Sequence, residues 1–130
     1  MIHKDFLAEK LKLFAEACTR PLVEAHLHGD LSNIGKVEAA IGELLEMNPD
    51  VCMQLAPASL TTMMSLQGIG NAVSQEVAYV LRHISRVYEK TGDQAHASAR
   101  LSQAEAIERA FSCDGTQCPK EFEEFEQTIC

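Results

Sequence analysis

Residues 76–111, EVAYVLRHISRVYEKTGDQAHASARLSQAEAIERAF, decide the fold of this chain. In the first half, apolar side chains recur at spacings of three and four residues, the period of one face of an α-helix: Val77, Val80, Leu81, Ile84, Val87 and Tyr88. Gly92 permits the positive φ of a helix end, and Asp93 can cap the next helix. A second stripe follows, made of Ala97, Leu101, Ala104, Ile107 and Phe111. Two matched stripes and a short turn predict an antiparallel helical hairpin.

The hairpin also has the residue pattern of a known repeat. Its characteristic large, small and turn positions are held here by Leu81, Ile84, Ser85, Tyr88, Gly92, Ala97, Leu101 and Ala104. The stretch therefore resembles a single degenerate tetratricopeptide repeat, although Leu81 replaces the usual Trp and Arg109 the usual Pro. The resemblance implies a fold of paired helices and a groove, lined by the first helix, that receives a partner peptide. The alternative is a generic helical hairpin.

The rest of the chain also reads as helices, which predicts one all-α domain of five or six helices packed as antiparallel, tetratricopeptide-like hairpins. Its expected parts are N-terminal helices (1–48), short Met/Cys-rich helices (49–70), the repeat-like hairpin (76–111) and an acidic C-terminal helix (119–129). Pro21 predicts a kink or break near Thr19 and Arg20, because proline removes an amide donor inside a helix. The Met side chains of the middle part would fill the core or form an adaptable binding surface.

The C-terminal helix carries Phe122, Phe125 and Ile129 on one side and glutamates on the rest. So short a helix is marginal alone and must pack against its own chain or a second subunit. Over its whole length, with its opening MIHKDFLAEKLKLFAEA, the chain is also similar to a family of small bacterial helical proteins of unknown function. That similarity implies the fold and no activity.

Charge and composition limit the classes of partner. The formal net charge of −8 disfavours nucleic acid, since the chain has no Lys/Arg cluster to attract phosphates. No apolar run is long enough to span a membrane, and the charged N-terminus is unlike a secretory signal. We therefore expect a cytoplasmic protein with neither nucleic-acid nor membrane partners. Five cysteines in such a protein read as reduced thiols.

The sequence offers little catalytic or metal-binding chemistry. Cys113, Cys118 and Cys130 are the nearest approach to a zinc site, but structural zinc usually has four ligands at tighter spacing. Cys113 and Cys118 otherwise form an incidental loop pair, or a disulfide on oxidation. His26 and His28 would point to different helix faces. With no nucleophile–base motif, we predict a non-enzymatic protein that needs no cofactor.

The groove implied by the repeat resemblance supplies the candidate site. Side chains between the packing positions of the first helix would contact a partner, and these are Tyr79, Arg82, Arg86 and Glu89. Two arginines one turn apart suit a carboxylate or an acidic peptide, unless they merely pair with Glu89 or face solvent. The predicted function is protein–protein interaction with an unidentified protein or peptide, and self-association as a homodimer is compatible with it. The alternative is a helical domain that binds a small molecule or zinc.

Overall fold

The computed structural model describes residues 2–129, and the side chains of residues 6–129. The described residues form helices and no strands, which confirms the all-α prediction. Residues 2–129 contain seven α-helices and one 3₁₀ turn: α1 Ile2–His28, α2 Ser32–Leu44, α3 Pro49–Gln54, α4 Pro57–Leu66, α5 Asn71–Lys90, α6 Gln94–Phe111, the turn Lys120–Phe122 and α7 Glu123–Ile129. The seven α-helices of the described residues exceed the expected five or six, because the helical turn predicted near Val51 forms a separate short helix, α3.

The hairpin of α5 and α6 forms as the sequence predicts. Gly92 adopts a φ of 88°, and the Asp93 carboxylate caps α6 by accepting a hydrogen bond of 3.1 Å from the His96 backbone N–H. Ala97 and Ala104 are buried, and the Ser85 hydroxyl donates 2.7 Å to the Ala97 carbonyl across the hairpin. Small side chains at these positions let the two helices approach closely. This packing is compatible with a tetratricopeptide-like unit.

Helix α5 lies at the centre of the molecule. Beyond its predicted apolar stripe, it also buries polar or titratable side chains on its other faces, namely Ser74, Glu76, Tyr79, His83 and Ser85. Helix α6 covers one side of α5, while α1 and the C-terminal aromatic residues cover the opposite side. A helix enclosed on several sides is more fully buried than a single amphipathic stripe predicts.

Helix α1 runs through Pro21 without a break. Of the kink or break predicted near Thr19 and Arg20, the break is therefore wrong, and the kink stays a prediction. Proline removes one backbone hydrogen bond but leaves the rest of the ladder intact. The residues on either side, Cys18 and Leu22, are both buried, and α1 packs along α2 and α5. Burial on both sides of the proline stabilises the helical conformation through it.

The middle of the chain consists of two short capped helices. The Asn48 side chain begins α3 by accepting from the backbone N–H groups of Asp50 (3.0 Å) and Val51 (3.3 Å), and Pro57 opens α4. Met53 and Met64 are buried in the core, whereas Met63 is exposed. Core filling therefore describes two of these methionines and not the third.

The C-terminal segment, residues 112–129, folds back onto its own chain. Phe122 and Phe125 are fully buried, and Phe122 lies edge-on to Phe14 of α1, with the ring centroids 6.1 Å apart. Both phenylalanines also contact Tyr79 of α5. This segment therefore closes the side of α5 that α6 leaves open.

Ala104→Leu is expected to destabilise the hairpin by roughly 1–3 kcal/mol, because Ala104 is fully buried and a larger side chain there would overpack the core. Chemical denaturation of the variant and the wild-type chain measures the difference. Ala99→Leu is the matched control, since Ala99 is exposed on the same helix. Equal midpoints for the Ala104 variant and the control would mean that Ala104 is not at a tight helix contact.

Candidate functional site

The four predicted groove residues occupy two different environments on α5. Tyr79 is 2% exposed, and Arg82 is only partly accessible, whereas Arg86 and Glu89 are exposed. Arg82 makes a two-pronged ion pair with Glu108 of α6, with N–O distances of 2.6 and 2.7 Å. In this conformation, Tyr79 and Arg82 are engaged within the chain, and only Arg86 and Glu89 are open to a partner.

Tyr79 is covered by the C-terminal segment. Its ring centroid lies 5.2 Å from that of Phe122 and 6.2 Å from that of Phe125. Its hydroxyl donates a 3.0 Å hydrogen bond to Glu126 Oε1. Burial, with hydrogen bonds to Cys118 and Glu126, raises the pKa of Tyr79, so the phenol stays protonated. Tyr79 thus holds this segment in two ways: its hydroxyl is hydrogen-bonded and its ring packs against two phenylalanines.

The loop before the 3₁₀ turn is anchored to α5 and α6 by polar contacts. The Gln75 side chain accepts from the Asp114 backbone N–H (2.9 Å) and donates to the Asp114 and Gln117 carbonyls, the latter at 3.0 Å. Glu108, besides holding Arg82, accepts a 2.8 Å hydrogen bond from the Gly115 backbone N–H. These contacts fix the loop across the N-terminal half of α5.

A histidine pair lies beneath α7. His26 Nε2 and His83 Nδ1 are 3.0 Å apart, and the Phe125 ring packs against both imidazoles at 6.1 and 5.0 Å. Burial lowers the pKa of His26 to about 4 and that of His83 to about 3, and the charges of Arg86 and Lys90 act in the same direction. Both rings are therefore neutral at pH 7, and one donates to the other.

A buried carboxyl group lies on the same side of α5. Glu76 is 2% exposed, and its Oε1 has no hydrogen-bond partner. Burial raises the pKa of Glu76 to about 9, helped by the neighbouring Glu121 carboxylate, which accepts a hydrogen bond from it. That hydrogen bond in turn lowers the pKa of Glu121. The pair therefore shares one proton at neutral pH.

The cysteine loop shows no metal-binding cluster. Among the described side chains, residues 6–129, no three His, Cys, Asp or Glu groups are arranged to hold a metal ion. Cys113 and Cys118 are both free thiols, and burial is the main cause that raises the pKa of each. Cys130, the third predicted ligand, lies outside the described residues, so the zinc alternative remains a prediction.

The outer face of α1 carries exposed apolar side chains that the sequence reading did not single out. Phe6, Leu13 and Leu27 are 66%, 55% and 58% exposed. Their separations of seven and fourteen residues put them on one face, away from the buried stripe of Leu11, Cys18 and Leu22. The sequence shows this face as apolar residues seven and fourteen positions apart. The pattern was missed because the stronger apolar stripe of the core lies on the same helix. No helix among the described residues is long and apolar enough to cross a membrane.

A cleft of about 510 Å³ separates α1 from α2 beside this face. Phe6, Leu13, Phe14 and Ala17 line it from α1, and Leu44 lines it from α2. The Lys10 ammonium and the Glu46 carboxylate, 3.8 Å apart, bound one edge. An apolar cleft continuous with exposed apolar side chains is typical of a surface that docks another protein.

Comparisons with protein-family models, curated proteins and solved structures found no match for this chain. The resemblance to a tetratricopeptide repeat remains a prediction from the residues quoted above. Two surfaces stand out on geometry: the covered face of α5 and the exposed outer face of α1.

Proposed function

We propose that this chain is a non-enzymatic protein–protein interaction module that forms a homodimer through the outer face of α1. The observation that carries the proposal is the exposure of Phe6, Leu13 and Leu27 on one face of the longest helix. Isolated exposed apolar residues are ordinary on protein surfaces, but aligned ones next to an apolar cleft favour burial against a partner. The α1–α2 cleft gives the partner's side chains a place to insert.

Charge supports a second copy of this chain as the partner. The chain carries a net charge of −8, so most ways of bringing two copies together are opposed by repulsion. Helix α1 is an exception, because three basic and three acidic residues balance along residues 6–28: Lys10, Lys12, Arg20, Glu9, Glu16 and Glu24. Two such helices can meet with opposite charges opposed and apolar residues between them.

A cytoplasmic location fits this function. Cys18, Cys52, Cys113 and Cys118 are all free thiols in the structure. Cys113 and Cys118 share one loop without forming a disulfide. Reduced thiols are the usual state of cysteine in the cytoplasm.

Leu13→Glu is expected to convert the dimer to a monomer, because it places a charge at the centre of the proposed apolar interface. Sedimentation velocity or native mass spectrometry reports the mass of each species. Because Leu13 is more than half exposed, the substitution should change the stability of the folded monomer no more than other surface substitutions do.

Leu66→Glu is the matched control. Leu66 is 77% exposed on α4, away from the α1 face, so this variant should remain a dimer. A wild-type chain that is monomeric at high micromolar concentration would contradict the proposal. So would equal behaviour of the Leu13 and Leu66 variants.

A further inference from the structure

A cleft of about 640 Å³ lies between α6 and the α3–α4 link, residues 54–57. On the side of the link, the backbone is extended at Leu55 and Ala56, with ψ angles of 138° and 149°. On the side of α6, much of the wall consists of small residues that recur at helical spacing: Ala95, Ser98, Ala99 and Ser102. Side chains of this size leave room beside the helix for a small molecule.

The floor of this cleft is polar and is held by hydrogen bonds. Arg100 and Gln103 line the cleft from adjacent turns of α6, and their side chains are 6% and 2% exposed. The Gln103 amide donates to the Met53 and Leu55 carbonyls, and its oxygen accepts from Arg100 Nη1 at 3.2 Å. Arg100 Nη1 also donates to the Met53 carbonyl at 3.0 Å. These contacts tie α6 to the link, so the floor is formed in advance of any ligand.

One nitrogen of the Arg100 guanidinium has no protein partner. Nε donates to Glu38 Oε2 at 2.9 Å and Nη1 makes the contacts given above, but no hydrogen bond among residues 6–129 uses Nη2. Arg82, by contrast, gives both Nε and Nη2 to Glu108. Nη2 of Arg100 is not one of the buried atoms that lack a partner, so solvent reaches it, and the cleft is the space that Arg100 lines. A largely buried arginine thus offers free N–H donors to this cleft.

Two helices begin at the cleft. Pro57, the first residue of α4, lines it, and so do Ala95 and His96 in the first turn of α6. The N-cap of α4 is Ala56, which has no side-chain oxygen to pair with the first N–H groups of the helix. The free N–H groups of a helix start carry partial positive charge and favour an anion. The local field therefore opposes the net charge of −8 that the whole chain carries.

His96 adds a second oriented group one turn before Arg100. Its Nδ1 lies 2.7 Å from Asp93 Oδ2, and its ring stacks on Tyr88 with the ring centroids 4.9 Å apart. Because the Asp93 carboxylate accepts the Nδ1 proton, Nε2 is the nitrogen left for a ligand. The ring is thus fixed in position and in tautomer at the edge of the cleft.

We propose that this cleft binds a small organic carboxylate, whose carboxylate group accepts hydrogen bonds from Arg100 Nη2 and whose apolar part packs against Ala95, Ala99 and Leu55. A carboxylate is the matching acceptor for a guanidinium edge. A phosphate group would turn its additional charged oxygens toward alanine side chains, which cannot satisfy them. The cleft shares no residue with α1, so the proposal stands independently of the homodimer.

NMR titration of the full-length chain with phenylacetate tests this proposal, and phenylacetamide is the matched uncharged ligand. We expect phenylacetate to shift the Arg100 Nε–H signal and the Ala99 amide signal. It should bind at least about tenfold more tightly than phenylacetamide, because a hydrogen bond between two charged groups is stronger than one to a neutral acceptor. Equal affinities of the two ligands, or no shift at Arg100 up to about 20 mM phenylacetate, would overturn the proposal.

Ala99→Leu fills the cleft and leaves the polar floor unaltered. Ala99 is exposed, so the variant should keep its stability. Its affinity for phenylacetate should fall at least about tenfold, since the larger side chain takes the ligand's place. Ala110→Leu, at an exposed position of α6 outside the cleft, is the matched control and should bind as the wild-type chain does. Wild-type affinity in the Ala99 variant would contradict the assignment of the site.

Glu38→Gln separates a ligand-binding role of Arg100 from a purely structural one. Glutamine can still accept from Nε, so the junction is retained while the guanidinium loses its counter-charge. We expect this variant to bind phenylacetate at least about threefold more tightly and phenylacetamide with unchanged affinity. An unchanged or weaker affinity for phenylacetate would show that the ligand does not meet the Arg100 charge, and the proposal would be overturned.

Discussion

Arg100→Ala is expected to lower the free energy of unfolding by about 3–5 kcal/mol, the usual loss when one partner of a buried ion pair is removed. Arg100 is 6% exposed, and its Nε donates to Glu38 Oε2 of α2 at 2.9 Å. Its Nη1 donates to the Met53 carbonyl at the end of α3, at 3.0 Å. One guanidinium thus joins three helices and satisfies a carbonyl that has no partner within its own helix.

Gln103 reinforces this junction one turn further along α6. Its amide donates to the Met53 and Leu55 carbonyls at 3.2 and 3.1 Å, and its oxygen accepts from Arg100 at 3.2 Å. Removing Arg100 leaves the Glu38 carboxylate, whose side chain is 17% exposed, without its counter-ion and loosens the end of α3. Arg100→Lys should recover little stability, because an ammonium lacks the planar fork that reaches both partners.

Urea denaturation of the wild-type chain and of the Arg100→Ala variant measures this effect. Arg109→Ala is the matched control, because Arg109 is exposed on the same helix. Adding Glu38→Gln to the Arg100→Ala chain should restore part of the loss, since it removes the uncompensated charge. A loss of less than about 1 kcal/mol, the range of exposed pairs, would show that water screens the pair.

Local chemistry explains what could be predicted from the sequence. The α5–α6 hairpin follows from helical periodicity, from the positive φ at Gly92 and from the cap at Asp93. The start of α4 follows from Pro57 in the same way. Each of these features depends on residues close together in the sequence, so it can be recognised without knowledge of the tertiary fold.

The position of Tyr79 could not be predicted because it depends on a segment more than forty residues away in the sequence. Periodicity identifies which face of a helix is apolar but not what covers it. An amphipathic tyrosine suits both an open groove and a buried contact. Arg82 illustrates the same limit, since its partner Glu108 is set by the register of two helices.

The Arg100–Glu38 junction and the outer face of α1 were missed for opposite reasons. Arginine and glutamate are seldom fully buried, so nothing in the local sequence marks Arg100 as enclosed. Leu13 and Leu27 are apolar residues of a helix, so the sequence alone does not distinguish them from core residues, although they lie away from the core. Both assignments need the three-dimensional arrangement of α1, α2, α3 and α6.

Glu76→Gln is expected to stabilise the chain at pH 8 by up to about 5 kcal/mol, and to change it little at pH 4. Burial holds the pKa of Glu76 at about 9, well above its ordinary value of 4.5. The folded chain therefore binds a proton that the unfolded chain has released between these two pH values. Stability from this group is complete below about pH 4.5 and is lost as the pH rises toward 9.

Glutamine has nearly the same shape and no proton to lose. Its amide can donate to the Glu121 carboxylate as the protonated Glu76 does, so the contact survives. The variant avoids the free energy of protonating a buried carboxylate at neutral pH. The gain should therefore grow steadily with pH across the window, by up to about 1.4 kcal/mol per pH unit.

Thermal and urea unfolding of both chains at several pH values between 4 and 9 tests this expectation. The difference between the two chains is the informative quantity, because the His26–His83 pair contributes equally to both. That pair acts in the opposite sense, since its pKa values are lowered to about 4 and 3 and it destabilises the fold as the pH falls below 6.5. Glu105→Gln, at an exposed site on α6, is the matched control. A difference that stays constant from pH 5 to pH 8 would mean that Glu76 is ionised in the folded chain, and hence that water or a cation reaches it beneath the C-terminal segment.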